Sequence, residues 1–291
     1  MAEIHHFDHG LLTPAVSYVL SVLGSLLGLV CAVRFRSAPS AGWRAWWLSL
    51  AAVAIGGTGI WTMHFVAMLG FSVVGSPIRY DVPLTAVSAL IAVVVVGVGL
   101  GVALLGSRAR RLRIIIGGLL AGVGVAAMHY TGMAAMRLHG EITYGPGRVI
   151  ASIAVAVVAA TVALWLTITV TRPAVIFVSA LVMGVAVNGM HFTGMSAMSV
   201  HRHEQIGLPA GATASSLLIP IGVAVLLSVL GLIYAVMAAP TEADRAGAAY
   251  LAARLEASAQ GPAQRQPGRP APTLRGGAWT YRDRSKSSPN L

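Results

Sequence analysis

Read as apolar and polar positions, the chain breaks into seven long apolar runs separated by short polar stretches. The first extends from Pro14 to Val33, and six more follow at roughly 46–70, 83–105, 114–136, 149–170, 174–198 and 215–238. Each can cross a bilayer as a helix, for which about 20 residues suffice. Glycine and alanine are frequent inside the runs, as in membrane helices whose backbones approach closely. The pattern predicts an all-α membrane protein with seven transmembrane helices, arranged as three repeated helix pairs plus a final helix.

Composition agrees. Apolar residues make up 56% of the 291 positions and charged residues 10%, whereas a soluble domain carries about 25% charged residues. The formal net charge of +11 does not indicate nucleic acid, because the basic residues sit in loops and in the C-terminal stretch. The first, third and fifth loops hold Arg34, Arg36, Arg44, Arg108, Arg110, Arg111, Arg113 and Arg172; the second, fourth and sixth hold Arg79, Arg137, Arg148 and Arg202. By the positive-inside rule the topology is N-out and C-in. The start of the chain lacks Lys and Arg before the first run, so it does not read as a cleavable signal peptide. The single Cys31 excludes an intrachain disulfide and a cysteine-rich metal site.

One phrase occurs three times. Residues Met63–Met68 read MHFVAM, Met128–Met133 read MHYTGM and Met190–Met195 read MHFTGM. Their histidines, His64, His129 and His191, are 65 and 62 residues apart, and Gly57, Gly122 and Gly184 each lie seven residues before one of them. Such self-similarity marks a supersecondary unit used three times. The predicted second, fourth and sixth helices carry the phrase and run from inside to outside, which places all three histidines toward the outer leaflet. His5, His6, His9, His139, His201 and His203 also fall in predicted outer segments, as metal-uptake ligands or surface residues. The three glycines read as packing notches.

Residues four apart share a helix face, so His64 and Met68, His129 and Met133, and His191 and Met195 each form one patch. Met136 and Met198 extend that face in two repeats, and Phe71 does so in the first. Met63, Met128 and Met190 lie beside it. Imidazole suits Cu, Zn, Fe and Ni, and thioether sulfur selects Cu(I). No carboxylate or thiolate lies near the phrases, which disfavours Mg, Ca and structural Zn. Copper is the expected cofactor, with Met63, His64, Met68, Met128, His129, Met133, Met190, His191 and Met195 as candidate ligands. The plainer alternatives are methionine as core filler and neutral imidazoles bonded to neighbouring helices. However, eight of the eleven methionines belong to the phrases or their next turn, which core filling does not require. Two of the histidines could instead hold a haem. Copper transport or delivery is the other alternative, but no ladder of ligands reaches the inner face. Tyr130 is a candidate donor to an imidazole or ligand, and Asn188 a candidate helix-to-helix bridge. With no nucleophile–base pair or paired carboxylates in the membrane region, enzyme activity is not expected.

At these residues the chain resembles the bacterial MHYT family of integral membrane domains, whose motif stands unaltered at Met128–Thr131. The resemblance covers about residues 10–240. It implies a sensor of the bacterial inner membrane that binds copper through the motif residues and responds to oxygen, carbon monoxide, nitric oxide or redox state. Many members continue into output domains. Here residues 241–291 read as a basic, Pro- and Gly-rich, mostly disordered cytoplasmic tail, with Glu242 to Ser258 extending the last helix, so a separate membrane or cytoplasmic signalling partner is expected.

Overall fold

The structure is a computed structural model of the chain, and it describes residues 4–5, 8, 10–106, 108–202, 207–239 and 242–259. Seven helices have the length and apolarity to span a membrane: α1 (Leu12–Arg36), α2 (Ala41–Met68), α3 (Val82–Leu104), α4 (Arg110–Ala134), α5 (Pro146–Thr169), α6 (Pro173–Met195) and α7 (Ala214–Ala238). Their starts follow ordinary capping chemistry. Ser40, Asp81 and Thr213 accept backbone N–H bonds at the N-termini of α2, α3 and α7, and prolines that need no N–H partner open α3, α5 and α6.

Helices α1 to α6 pack in a closed ring, each against the next, with α6 returning to α1. The motif-bearing α2, α4 and α6 alternate with α1, α3 and α5, and the end of α2 also touches α4 and α6. Helix α7 packs on α1 and the middle of α2; it buries only Leu232 fully and otherwise presents leucine, isoleucine and valine to lipid.

Sequence hydropathy gave no sign of the three short β-ladders that clasp one end of this ring. Strand β1 (Ile4–His5) pairs with β2 (Ser72–Val73), β3 (Arg79–Tyr80) with β4 (Met136–Arg137), and β5 (Gly140–Tyr144) with β6 (Met198–Arg202), all antiparallel. In each case the segment entering an odd-numbered helix pairs with the segment leaving the next even-numbered one. One hydrogen bond repeats with this pattern: Asp8 N–H to Gly70 O at 2.9 Å, Asp81 N–H to Ala135 O at 2.8 Å, and Gly145 N–H to Ala197 O at 2.8 Å. Each accepting carbonyl lies six residues after a motif histidine. These clasps define the three helix pairs, α1–α2, α3–α4 and α5–α6. They also end the motif helices earlier than the apolar pattern indicates, so Met136 and Met198 lie on strands instead of extending a helix face.

At the opposite end, arginines satisfy carbonyls that helix C-termini leave without intrahelical partners. Arg36 donates to Thr167 O and Val170 O, Arg110 to Ile168 O at 3.0 Å, and Arg34 to Val236 O at 3.4 Å. Guanidinium groups at these positions also meet the negative ends of the α5 and α7 dipoles.

The repeats are not identical. In α2, Val53–Thr62 forms a π-helix, whose i→i+5 bonding accommodates extra residues per turn. Its consequence is a shifted notch. A Cβ on Gly122 would lie 2.5 Å from Val157 Cα, and one on Gly184 2.7 Å from Val22 Cγ2. On Gly57 the nearest atom would be Val93 Cγ2 at 3.7 Å, an ordinary contact, whereas on Gly56 the Ala92 carbonyl oxygen would lie at 2.6 Å. In the first repeat the packing glycine is therefore Gly56, one residue earlier than the repeat spacing indicates.

The chain divides into two compact units, Met1–Ala239 and Pro240–Leu291. Helix α7 stops at Ala238, and Ala239 is extended at φ −71° and ψ 131°, as expected before a proline. Helix α8 (Glu242–Ala259) belongs to the second unit and is a separate element, not a continuation of α7. The expected disordered tail beyond residue 259, and His6, His9 and His203, lie outside the described residues.

The notch assignment is testable by thermal unfolding in detergent. Gly56→Ala is expected to destabilise by roughly 1–3 kcal/mol through overpacking against backbone. Gly57→Ala should be neutral or slightly stabilising, since alanine favours helix over glycine by about 1 kcal/mol. The reverse order of stabilities would refute the shifted register.

Candidate metal centre

The clasps hold the C-terminal ends of α2, α4 and α6 at a common level, and the histidines follow from that. His64, His129 and His191 stand four or five residues before the ends of their helices, roughly 6–8 Å in from the β-ladders at 1.5 Å per residue. All three are buried and in mutual contact. His64 Nδ1 lies 3.0 Å from His191 Nδ1 and 3.1 Å from His129 Nδ1. Ring centroids are 4.9, 5.0 and 5.1 Å apart with interplanar angles of 69°, 74° and 88°, so the imidazoles meet like propeller blades. Among the described residues they are the only group of three or more His, Cys, Asp or Glu placed to share an ion.

Two of the rings, those of His64 and His129, reach toward the helix of the next repeat. A Cβ on Gly132 would lie 2.2 Å from His64 Nε2, and one on Gly194 2.3 Å from His129 Nε2. The glycine three residues after one motif histidine is thus the seat of the preceding repeat's imidazole. The sequence reading missed these two glycines, although their shared place in the phrase carried the signal. The corresponding residue of the first repeat is Ala67.

A neutral imidazole has one N–H donor and one lone-pair acceptor. With protons on the outer Nε2 atoms, three Nδ1 lone pairs face one another at the centre and repel. A proton on one Nδ1 relieves this only partly. A cation at the centre would accept all three lone pairs at once. Nitrogens sharing a tetrahedral ion at 2.0–2.1 Å stand roughly 3.3 Å apart, so small ring rotations open the triangle to ion-binding size. The outer shell is spare. His64 Nε2 and His129 Nε2 have no hydrogen-bond partner among the described residues, where ligating imidazoles usually find an acceptor.

All nine candidate ligands are buried, but the methionines divide. Met68, Met133 and Met195 join Met136 and Met198 in one apolar cluster with Phe65, Phe71 and Tyr80 under the ladders. Met128 and Met190 instead enter the main core of the ring, beside Ile60, Val125 and Met183. The histidine level thus separates two methionine layers. Two phenols on the ladder side stay neutral: burial, with the neighbouring Tyr130 phenol second, pushes the Tyr144 phenol up to about 12, and burial raises Tyr80 as well.

Other polar residues have structural partners. The Tyr130 ring stands edge-on to the His129 imidazole with centroids 5.0 Å apart, but its hydroxyl pairs with Ser152 Oγ of α5 at 2.7 Å. Asn188 Nδ2 donates to Ser21 Oγ of α1 at 2.9 Å and to Gly184 O at 2.8 Å, the expected bridge between helices. His139, His201 and His5 belong to the ladder region, away from the trio: His139 N–H donates to Ser76 Oγ at 3.0 Å, and His201 and His5 stand in the strands. At the rim Asp81 pairs with Arg137 at 2.8 Å, and that donation, followed by the Leu84 N–H, holds its carboxyl below the usual range.

Gly132→Ala and Gly194→Ala should each dislodge the imidazole they seat. The expected result is a lower unfolding temperature, from about 1–3 kcal/mol of overpacking, with shifted imaging of the seated ring by NMR: His64 nitrogen resonances in the first variant and His129 in the second. Gly189→Ala, where an added Cβ meets nothing within 4 Å, is the control. Unmoved histidine resonances in both variants would rule out this seating.

Comparison with known proteins adds ancestry. The MHYT family, described as a bacterial signalling protein N-terminal repeat, matches residues 57–118, 122–180 and 184–249, together more than half of the chain. The bifunctional diguanylate cyclase/cyclic di-GMP phosphodiesterase MucR of Pseudomonas aeruginosa is 39% identical over 204 residues, 63% of this chain and 27% of MucR. The cyclic di-GMP phosphodiesterase NbdA of the same organism is 37% identical over 171 residues, 55% of this chain and 21% of NbdA. Signaling protein YkoW of Bacillus subtilis is 33% identical over 164 residues, 50% of this chain and 19% of YkoW. The chain thus spans about a fifth to a quarter of the length of these relatives. No solved structure matches it. Each matched repeat begins seven residues before one of the three clustered histidines, and the chain belongs to the MHYT family of bacterial membrane signalling proteins.

Proposed function

We propose that this membrane protein is a sensor whose signal-receiving centre is one copper ion, Cu(I) in the resting state, held by Nδ1 of His64, His129 and His191. The observation that carries the reading is the buried histidine trio, with His64 Nδ1 at 3.0 and 3.1 Å from the Nδ1 atoms of His191 and His129 and ligand atoms of all three within 4.8 Å of one another. Charge and softness favour this ion over rivals. Neutral ligands in an apolar site leave the whole charge of the ion uncompensated, so a monovalent ion is cheaper to bury than a divalent one. Methionine sulfur on both sides suits a soft ion. The nine motif residues divide by role: three imidazoles as ligands, and Met68, Met133 and Met195 as the polarisable layer beneath the ladders. Met128 and Met190 line the core side, and Met63 is buried beside His64 in the chain.

A haem is disfavoured because the imidazoles touch one another and leave no slot for a macrocycle between them. Nothing in the arrangement favours transport, since the trio is a single level. In this reading the ladder face is outside, the arginine face is cytoplasmic, and the protein resides in the inner membrane of a bacterium. A change in the ligands or redox state of the ion alters helix packing around the trio, and the chain reports it through α7 to cyclic di-GMP machinery of the kind named in MucR and NbdA. The membrane domain receives the signal and catalyses nothing.

Purified protein reconstituted with Cu(I) should hold about one copper per chain by elemental analysis. His64→Ala, His129→Ala and His191→Ala are each expected to weaken binding by more than the 10–100-fold typical of outer-shell changes, in competition with a Cu(I) chelator. Met133→Leu, of similar volume, should cost less than tenfold if its sulfur is a neighbour and not a ligand. Folded wild-type protein that binds no copper, or a triple histidine variant that binds it equally well, ends this reading.

A further inference from the structure

Below the histidine level the ring is not filled. A cavity of about 50 Å³ is lined by Ile55 and Ile60 of α2, Val125 of α4, Ala160 of α5, and Met183 and Met190 of α6. A second of about 40 Å³ shares Ile55, Ile60, Val125 and Ala160 with it. Water is a poor occupant, because a buried water needs about 2–4 polar partners and the walls are aliphatic or thioether apart from Thr167 on the second cavity, whose hydroxyl already donates to Leu164 O. Ligand pockets for drug-sized molecules run to about 300–1,000 Å³, so the space suits only something very small.

The cavity also has a way in. On the outer side of the ring, a groove of about 420 Å³ between α5 and α6 is lined by Val155, Val158 and Val182, all exposed and hence facing lipid. Ala159, Met183 and Ala186 line both the groove and the inner cavity. The partition between bilayer and interior is thus two methyl groups and one flexible thioether chain, whose rotamers exchange readily. At its far end the cavity is bounded by Met190, adjacent in the chain to His191.

We propose that the interior of the ring binds one uncharged, apolar molecule of diatomic size, which enters sideways from the bilayer between α5 and α6 past Ala159, Met183 and Ala186. Such molecules concentrate in hydrocarbon for the same reason that apolar surface leaves water, so a lateral opening supplies the cavity better than one through the polar ladders. Binding here does not depend on the copper proposal; only its consequence for the histidines does.

Xenon is the probe, used on full-length, metal-free protein in lipid nanodiscs and read by xenon NMR. Wild-type discs should show a saturable bound population that empty discs lack. Ala160→Leu, which fills both cavities, should abolish it. Ala159→Phe should keep the bound population but slow its exchange by about tenfold, a modest rise in barrier. Wild-type discs that behave like empty ones overturn the cavity site, whether or not Ala160→Leu folds. Unchanged exchange in folded Ala159→Phe overturns the lateral route. Copper content measured on parallel samples separates the two ideas: xenon without copper leaves this proposal standing and ends the metal reading, and copper without xenon does the converse.

Discussion

Three imidazoles in contact inside an apolar ring are the constraint on which the rest of the molecule turns. Each brings a polar ring into a region where an unsatisfied group costs several kcal/mol. His64 Nδ1 meets the Nδ1 atoms of the other two at 3.0 and 3.1 Å because the motif helices approach more closely than ordinary side chains allow. Gly132 and Gly194 provide that approach directly, each giving up a side chain to the imidazole of the neighbouring repeat. The β-ladders fix the remaining variable, the relative height of the helices. Their hydrogen bonds fall six residues beyond each histidine, so a slip of one helix along its axis would break a clasp and a histidine contact together.

Repetition explains the economy of this design, and its breaks show where the repeats have separated. Three clasped pairs give a pseudo-threefold ring, yet the first repeat has Ala67 where the others have glycine and a π-helical stretch where the others are α-helical. The second repeat departs as well, with Tyr130 where the others have Phe65 and Phe192, and Tyr130 is committed to Ser152. The Ala67 and π-helical departures both fall on α2, the helix that touches both of the other motif helices and supports α7.

Much of this was legible in the sequence, for identifiable reasons. Hydropathy alone defines the seven spans, because an apolar run of about 20 residues crosses lipid as a helix that satisfies its own backbone hydrogen bonds. The constant interval between His64, His129 and His191, on helices running the same way, implied a common depth, and in the structure they touch. The ladders were not legible: strands of two to five residues such as Arg79–Tyr80 carry no periodicity of their own and exist through pairing with distant segments. The same cause misled the reading of Met136 and Met198, whose apolar character suits a helix but whose backbone is claimed by β3 and β5. The Gly56 register was hidden because spacing counts residues, whereas a π-helix changes how many residues a turn contains. Tyr130 faced two acceptors of equal chemical merit, and only packing against α5 decides between them.

A change at the histidine level has few physical routes to the far end of the bundle. Helix α7 makes its contacts with α1 and with the π-helical segment of α2, and Leu232 is its one fully buried side chain. The same α2 carries His64 a few residues further on. A π-helix has the less usual hydrogen-bond spacing, and converting part of it to α-helix rotates what lies beyond without unfolding anything. A rotation of the segment bearing His64 relative to the segment under α7 would therefore couple the histidine level to α7 without unfolding either. Helix α1 provides the second strut, holding Asn188 of α6 through Ser21 and the C-terminus of α7 through Arg34. Both struts end on α7, so the asymmetric first repeat, and not the two regular ones, is the part of the ring able to convert a change among three equivalent histidines into movement of one helix.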